Sequence, residues 1–398
     1  MKAICSKKEC TGCAACVQAC PKSCIKMSMD RNGFFYPEID ATTCVNCGRC
    51  QRICPNNIAQ NKYNADFYMG WHKDLNVLKR SSSGGAFTAI ADYILDNGGV
   101  VYGASFDKTT RKVSHVAISS STQLDEIRLS KYYQSSIGNA YKHVKEDLNN
   151  KMVLFSGTAC QIAGLYAYLG SKPDNLLTVD VLCHGVTSIK VIDKYISCKE
   201  KKYKKKIINF KFRLKPDDSD WKSGGGTRMR LDFQDGTHSI EDKDRDTFFV
   251  GFNQYLFLRE SCYCCKYTGT ERIADFTLAD YWGVPFSEIS EKERRYGVSL
   301  ILANSKNAKK LINVLKKDMF ITPIVPDVAI AHNQALVKPG TKNKYRTKFF
   351  ANLDKKSFDK LVQKYSMKYY LKLKVRSILK RLIGESKYTK IMRMIKGQ

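Results

Sequence analysis

Eight of the sixteen cysteines stand in one spacing that occurs twice. Cys10, Cys13, Cys16 and Cys20 precede Pro21 in the pattern C-x2-C-x2-C-x3-C-P, and Cys44, Cys47, Cys50 and Cys54 repeat it before Pro55. This spacing is typical of two [4Fe–4S] clusters, because three closely spaced thiolates bind one cluster and the fourth binds the other. We therefore assign Cys10, Cys13, Cys16 and Cys54 to one cluster, and Cys44, Cys47, Cys50 and Cys20 to the second. A disulfide framework and a pair of zinc sites are the alternatives.

Four further cysteines lie at positions where predicted strands and helices commonly carry functional residues. A strand is predicted over Met152–Phe155, and Cys160 lies in the first turn of the helix predicted over Ala159–Leu169. Cys183 follows the next predicted strand, and a helix is predicted from Thr187. A helix N-terminus favours a thiolate, and α/β sheets carry their chemistry where strands end before helices. Together with the C-x-x-C pair Cys262 and Cys265, these residues supply four thiolates for a third [4Fe–4S] cluster. Zinc, a redox disulfide and separate buried cysteines are the alternatives.

The remaining thiols do not fit these spacings. We interpret them as structural or free cysteines, namely Cys5, Cys24, Cys198 and Cys264. His184, beside Cys183, has two interpretations, as a donor to sulfur or as a histidine satisfied within the core.

A loop rich in serine and glycine opens a predicted helix. The run from Ser81 to Gly85 precedes Ala86–Asp96, which has helical apolar spacing and ends before Asn97-Gly98-Gly99. Free backbone N–H groups and the positive end of the helix dipole suit a phosphate at such a position. A plain N-cap is the alternative.

The predicted elements indicate an α/β (α+β) fold in four parts. An antiparallel hairpin, Ile25–Met29 and Phe34–Ile39 around Asn32-Gly33, lies between the two cysteine runs and completes a ferredoxin domain over residues 1–60. Alternating strands and helices follow over residues 61–150 and 151–335. Within the latter, Ser223–Gly226 indicates a flexible turn, and Arg228–Phe233 indicates an antiparallel strand. Residues 336–398 form a basic helical tail.

Length and composition favour a protein of the cytoplasm. The 398 residues, of which 43% are hydrophobic, suffice for two or three cores. The residues after Met1 do not resemble a signal peptide, and no apolar run is long enough to span a membrane. Free thiols for iron require a reducing compartment, so we expect a cytoplasmic location.

The positive charge is concentrated at the end of the chain. The net charge is +29, and the segment from Thr341 to Gln398 contains 18 Lys and Arg against 3 Asp and Glu. Within Met367–Met394, apolar residues recur on one helical face beside basic ones, as in a helix that lies on an anionic membrane surface. The alternative is a helix packed on the body with its basic side in solvent. We expect no nucleic-acid binding.

Several motifs resemble one known family. They are Ser81–Phe87, Ser130-Lys131-Tyr132, Gly157–Gly164, Leu182–Gly185, Ser261–Cys265 and Asp280–Gly283. In this order they resemble the β subunits of coenzyme F420-reducing hydrogenases and dehydrogenases, in the bacterial branch with an N-terminal two-cluster ferredoxin domain. The resemblance covers about residues 1–330.

The resemblance implies FAD bound near the Ser/Gly loop and a [4Fe–4S] cluster close to the flavin. Carried over by residue, it gives cofactor-binding roles to Ser83, Gly84, Gly85 and Lys131, and cluster roles to Cys160, Cys183, Cys262 and Cys265. It does not identify the substrate, and coenzyme F420 itself is not implied. Some family members are associated with cell-surface polysaccharide assembly, which implies a small-molecule or lipid-linked substrate.

We therefore expect an iron–sulfur flavoprotein oxidoreductase. A flavin exchanges electron pairs with organic compounds and single electrons with clusters, so it connects the two kinds of chemistry. An electron-donor protein or ferredoxin would supply electrons to the clusters, and an organic substrate would be reduced at the flavin. The alternative is a non-catalytic relay subunit of a larger redox complex.

Overall fold

The computed structural model describes residues 3–215, 228–285, 289–290 and 295–384. The turn expected at Ser223–Gly226 and the last part of the expected tail helix, from residue 385, lie outside these ranges. The strands are β1 (Ile25–Met29), β2 (Phe35–Ile39), β3 (Asp66–His72), β4 (Val100–Phe106), β5 (Val113–Ile118), β6 (Val153–Thr158), β7 (Leu176–Val181), β8 (Ile207–Leu214), β9 (Arg228–Phe233), β10 (His238–Asp242), β11 (Phe276–Asp280), β12 (Ser299–Ala303) and β13 (Met319–Pro323).

The described α-helices are mostly short. They are α1 (Ala15–Gln18), α2 (Arg49–Arg52), α3 (Leu75–Arg80), α4 (Ala86–Asp96), α5 (Leu124–Ile127), α6 (Ala140–Asp147), α7 (Ala159–Leu169), α8 (Ile189–Tyr203), α9 (Thr247–Asn253), α10 (Lys306–Leu315), α11 (Pro326–His332), α12 (Arg346–Asn352), α13 (Phe358–Tyr365) and α14 (Met367–Ile383). A 3₁₀-helix covers Glu260–Cys264.

The N-terminal region contains the predicted hairpin. β1 and β2 pair antiparallel from Ile25 opposite Ile39 to Met29 opposite Phe35. Asp30 closes the turn because its Oδ1 accepts hydrogen bonds from the backbone N–H groups of Asn32 and Phe34. The cysteine runs flank the hairpin, and each contributes one short helix, α1 or α2.

An eight-stranded mixed sheet forms the centre of the body. Its order is β13-β3-β12-β11-β7-β6-β4-β5. The pairs β4–β6, β6–β7 and β7–β11 are parallel, and the other neighbouring pairs are antiparallel. Because β12 is antiparallel to both β3 and β11, those two strands run in the same direction. The C-terminal ends of β3, β6, β7 and β11 therefore meet at one edge of the sheet.

Two boundaries differ from those predicted. β6 was expected to end at Phe155 but continues through Thr158, whose side chain and that of Gln161 form a capping box at the start of α7. The helix expected from Thr187 begins at Ile189, because Ser188 is its N-cap and accepts a hydrogen bond from the backbone of Val191. In both cases the side-chain cap fixes the boundary.

The predicted antiparallel strands after residue 200 form a second sheet. β8, β9 and β10 pair in the order β10-β9-β8, and β9 has the predicted bounds. This sheet packs with α8 and α9 in an aromatic core. Phe349 and Phe358, from α12 and α13, belong to the same core. The segment expected as a tail from residue 336 therefore first completes the body.

The N-terminal region also shares cores with the body. Phe34 lies in the aromatic core, and Ala14 and Ala15 lie in a core with α6, α7 and β6. Residues 1–60 are thus packed into the body on two sides.

Candidate metal centre and cofactor cavity

The structure brings Cys54 to the first cysteine run. Burial raises the pKa of the Cys16 thiol, and the neighbouring Cys13 and Cys10 raise it further. A hydrogen bond with Cys5 lowers the pKa of Cys54, whereas burial and then Cys13 and Cys16 raise it. Cys10, Cys13, Cys16 and Cys54 therefore lie close together, and we call them the inner thiol group.

The second run has the reciprocal arrangement. Burial raises the pKa of Cys50, and the nearby Cys47 and Cys20 also raise it. Cys44 reaches the same place, since it contacts Cys24, whose Sγ lies 3.3 Å from that of Cys20. We call Cys44, Cys47, Cys50 and Cys20 the outer thiol group, because Cys47 is exposed.

Two cysteines outside the spacing rule lie beside these groups. Cys24 contacts Cys20 and Cys44 at the outer group, and Cys5 forms hydrogen bonds with Cys10 and Cys54 at the inner group. Each group thus has a fifth thiol as a neighbour. Spacing does not indicate this, because neither residue belongs to a recurring interval.

The four other candidate cysteines also converge. Burial raises the pKa of Cys160 to about 12, with further contributions from Cys265 and Cys262. Burial and then Cys262, Cys160 and Cys265 raise the pKa of Cys183 well above its ordinary value. All four line one cavity of about 310 Å³. We call them the third thiol group. Cys198 and Cys264 lie outside the three groups.

The thiol groups suit clusters better than single ions. Among the described residues, no three His, Cys, Asp or Glu side chains are close enough to bind one metal ion. In a [4Fe–4S] cluster each thiolate binds a different iron, so the sulfurs need not approach each other as closely. Burial raises the pKa of Cys16, Cys160 and Cys183, and iron would offset that cost because a coordinated thiol is deprotonated. Four converging cysteines per group therefore fit a cluster.

The inner group and the third group meet along one face of α7, because Cys160 and Gly164 are four residues apart. Cys160 begins this helix, and Gly164 faces Cys13. A methyl group at Gly164 would lie 2.9 Å from Cys13 Cβ and 3.1 Å from Cys13 Sγ. Tyr267 belongs to a core against which Cys13 of the inner group and Cys160 and Cys265 of the third group pack. The two groups are therefore neighbours.

A second cavity, of about 490 Å³, reaches from the Ser/Gly loop to the third group. Ser83, Gly85 and Lys131 line it at one end, and Cys160 and Cys183 line it at the other. Its volume lies in the range typical of ligand sites, roughly 300–1,000 Å³. The sheet topology explains this position, because the loop follows β3 and the cysteines follow β6 and β7 at the same edge.

The predicted cofactor residues have different roles. Gly85 is the N-cap of α4 with φ +85°, and no side chain forms a cap hydrogen bond at this helix. The plain N-cap alternative therefore agrees with the structure, and the phosphate role of the loop stays a prediction. Gly84 does not line the cavity. A side chain there would meet the backbone oxygen of Gly70 at 2.4 Å, so glycine is required for packing on β3. The Ser83 hydroxyl donates to the Val298 carbonyl.

Lys131 and His184 are held by backbone groups. Lys131 Nζ donates to the Arg128 carbonyl at 2.6 Å, and burial lowers its pKa to about 7. His184 bonds through Nε2 to the Phe252 carbonyl at 3.1 Å and stacks on Tyr255. The satisfied-core interpretation therefore describes His184.

Arg213, which no motif indicated, lines the cavity together with Asp280 of the Asp280–Gly283 motif. Arg213 forms two hydrogen bonds with Asp280, at 2.6 and 3.2 Å, and both side chains are buried. The pair joins β8 to the end of β11. Such pairs have no local sequence signal, because their members are 67 residues apart.

The fold and the three thiol groups define an iron–sulfur redox protein with a ferredoxin-type module on an α/β body. Comparison with family models gives matches to a 4Fe–4S dicluster domain over residues 9–58, and to the N-terminal and C-terminal domains of the coenzyme F420 hydrogenase/dehydrogenase beta subunit over residues 67–142 and 150–326. The chain belongs to the coenzyme F420 hydrogenase/dehydrogenase beta subunit family and carries a dicluster domain at its N-terminus.

Similar individual proteins match parts of the chain. A ferredoxin of Methanocaldococcus jannaschii is 37% identical over 54 residues, which is 14% of this chain and 69% of the ferredoxin. The ketoisovalerate oxidoreductase subunit VorC of Methanothermobacter marburgensis is 33% identical over 54 residues, 13% of this chain and 68% of that subunit. A chain of the F420-reducing [NiFe] hydrogenase complex from Methanosarcina barkeri has a TM-score of 0.47 and 14% identity, covering 72% of this chain and 100% of that one.

We expect Gly164→Ala to reduce cluster binding at the inner group, because the added methyl group would displace Cys13. Alanine is the better helix former by about 1 kcal/mol, so a loss would come from the contacts of the added methyl group, which would also lie 2.7 Å from Tyr141 Oη. Iron and sulfide analysis after anaerobic reconstitution should show about four fewer iron atoms per chain than in the wild type. Unchanged iron content would contradict the importance of this contact.

Proposed function

We propose that this protein is an iron–sulfur flavoprotein oxidoreductase that passes electrons between ferredoxin-type clusters and FAD to reduce an organic substrate. One observation carries the proposal. A single cavity is lined by the uncapped start of α4 at one end and by Cys160 and Cys183 at the other. Iron–sulfur electron transfer is common to the family, and the flavin and the substrate are the additional steps of the proposal.

The Ser/Gly loop supplies the features that a dinucleotide phosphate requires. Gly85 leaves the first N–H groups of α4 without a side-chain partner, and these groups and the helix dipole attract an anion. Lys215 fixes the position of the loop, because its Nζ donates to the carbonyl of Ser83 and also to those of Leu78 and Tyr296. Ser82 also holds it, since its hydroxyl accepts from the backbone of Ser130.

The other residues of the cavity would orient the cofactor and the substrate. FAD, when bound, would exchange electron pairs with the substrate and single electrons with the clusters. The buried Arg213–Asp280 pair presents a fixed charge distribution at the cavity wall. Lys131 has a pKa of about 7, so it is able to hold or release a proton near neutral pH.

The third thiol group is proposed to bind the [4Fe–4S] cluster next to the flavin. Its position between the inner group and the cavity would give electrons a continuous route. An electron-donor protein or ferredoxin would supply electrons to the outer cluster. The substrate would be a small molecule or a lipid-linked compound, and a role in cell-surface polysaccharide assembly is part of this proposal.

The rival function is that of a relay subunit without catalysis. Both functions require the clusters, but only the enzyme requires a flavin in the cavity. Purification without oxygen, followed by iron, sulfide and flavin analysis, separates the two. We expect about twelve iron atoms and one FAD per chain, from four iron atoms in each of three clusters. A content of about eight iron atoms per chain would contradict a third cluster, and the absence of flavin after reconstitution would favour the relay function.

We expect Gly85→Asp to weaken FAD binding, because it would put a carboxylate and a side chain at the proposed phosphate position. Gly98→Asp is a matched control, since Gly98 lies beyond the other end of α4, also has positive φ and has nothing within 4 Å of the added carbon. Flavin content should fall in the first variant only. Equal flavin content in the two folded variants would contradict the phosphate role of the loop.

We also propose that the protein works in the cytoplasm at the inner face of the membrane, through α14. No helix of the described residues is both long and apolar enough to cross a bilayer. α14 instead presents an apolar stripe to solvent. Leu371, Val375 and Leu382 are 56%, 56% and 74% exposed, and Met367 and Ile378 extend the stripe. The alternative of a helix packed through its apolar face does not hold for these residues.

The charges beside this stripe complement an anionic surface. Lys368 and Lys372 flank it on one side, and Lys374 and Arg381 flank it on the other. Tyr369 and Tyr370 pack against the aromatic core and fix the start of the helix on the body. A helix of this kind lies in the membrane interface with its apolar face buried and its basic side chains at the headgroups.

We expect the full-length protein to float with vesicles that contain phosphatidylglycerol. Basic residues near such a surface contribute about 1 kcal/mol each, so binding should weaken as salt rises. The double variant Leu371→Asp, Leu382→Asp should stay at the bottom of the gradient. Val325→Asp is the matched control, because Val325 is also exposed but lies outside α14. Flotation of the double variant with the vesicles, or no flotation of the wild type at low salt, would refute the contact.

A further inference from the structure

Arg259 is a completely buried arginine that joins the body to the ferredoxin module. It lies three residues before Cys262, and only 1% of it is exposed. Its Nε donates to the Cys10 carbonyl at 2.8 Å, its Nη2 to the Phe35 carbonyl at 2.9 Å and its Nη1 to Gln134 Oε1 at 2.8 Å. The guanidinium also lies 4.2 Å from the centre of the Tyr36 ring.

These contacts satisfy the hydrogen bonds of Arg259 but not its charge. All three acceptors are neutral oxygens, and no ion pair joins Arg259 to a carboxylate of the described residues. The adjacent Glu260 is bound to Lys342 and Arg346. Burial of a charge without a counter-charge costs several kcal/mol, so an anion is expected within reach.

The group nearest to Arg259 that becomes anionic is the inner thiol group. Nη2 lies 3.8 Å from Cys10 Sγ. Cysteines bind iron as thiolates, so a cluster at this position brings negative charge to the guanidinium. The cluster is therefore the counter-charge of Arg259, at a place where water does not screen the interaction.

Among the described residues, the outer thiol group has no buried arginine equivalent to Arg259. Arg52 donates to the Cys47 carbonyl at 2.9 Å, but Arg52 and Cys47 are both exposed, so solvent and salt weaken its effect. A nearby positive charge favours the reduced form of a cluster, which carries one more electron. The two clusters of the module thus have different electrostatic surroundings.

We propose that Arg259 raises the reduction potential of the inner cluster and so directs electrons from the outer cluster towards the body. In this step one electron leaves the outer cluster and reduces the inner one, and no bond forms or breaks. The proposal rests on the assignment of the two thiol groups to clusters. It assigns to Arg259 a positioning role, since Arg259 acts through the cluster and does not touch the substrate cavity.

The test is a potentiometric titration of the full-length protein, followed by electron paramagnetic resonance. In Arg259→Gln, the equilibrium constant for reduction of one cluster should fall at least tenfold, which is about 59 mV for a one-electron couple. The potential of the outer cluster should not change. Arg259 also lines the cavity of the third thiol group, so a shift of the third cluster in the same direction agrees with the proposal. Arg259→Lys keeps the charge and should give a smaller shift. Equal potentials in the wild type and Arg259→Gln, or equal shifts in the two variants, would overturn the role of charge.

Two further variants keep the test decisive. Gln134→Glu places a carboxylate at the acceptor of Nη1 without removing Arg259, so this variant should also lower the potential of one cluster. If Arg259→Gln does not retain iron, Gln134→Glu is used in its place. Arg346→Gln is the matched control, since Arg346 is also buried but donates to the Leu258 carbonyl and pairs with Glu260. Unchanged potentials in Gln134→Glu would overturn the proposal. Fewer than about eight iron atoms in the wild type would instead overturn the cluster assignment.

Discussion

The direct contact of the first cysteine run with α7 is the constraint on which the rest of the structure depends. The inner thiol group and the third group become neighbours only if no side chain separates Cys13 from this helix, and Gly164 provides that space. The same contact prevents the module from being a separate unit. Ala14 and Ala15 are buried against α7, while Phe34 inserts into the aromatic core on the other side. Electron transfer and folding thus depend on the same interface.

Buried ion pairs hold the sheet edge at which the third group lies. Asp180, near the end of β7, accepts a hydrogen bond from Arg272 at 2.8 Å, and both side chains are inaccessible to solvent. Since Cys183 follows Asp180 and Cys265 precedes Arg272, this pair fixes the segments that carry two of the cysteines. Removal of one partner would leave a buried charge, which costs more than the pair contributes. Such pairs favour one geometry, which a cluster with four fixed ligands requires.

The sequence predicts the local features well and the long-range ones poorly. α4 and α7 have the predicted bounds, because each has clear apolar spacing and a glycine or side-chain cap at its start. The cysteine runs predict the exchanged fourth ligand, and this assignment of Cys54 and Cys20 stays a prediction. Sheet order, by contrast, depends on pairings such as β3 with β12, more than 200 residues apart. Arg259 is not predictable from the sequence either, since its partners lie about 120 to 250 residues away.

The tail illustrates a different limit. Its basic composition is evident from the sequence, but Phe349 and Phe358 show that its first two helices belong to the core. Charge counts describe the solvent-facing residues of these helices and conceal the few aromatic residues that face inward. Only α14 leaves an apolar face exposed.

The two thiol groups of the N-terminal module differ in burial, and this difference indicates which of them a donor protein meets. Cys47 of the outer group is exposed, whereas Cys10, Cys16 and Cys54 are buried. A donor protein that approaches the module therefore meets the outer cluster first. The cavity opens at the sheet edge beyond α7, so an organic substrate would enter elsewhere. In the proposed function, electrons from such a donor would pass through the clusters before they reach the cavity.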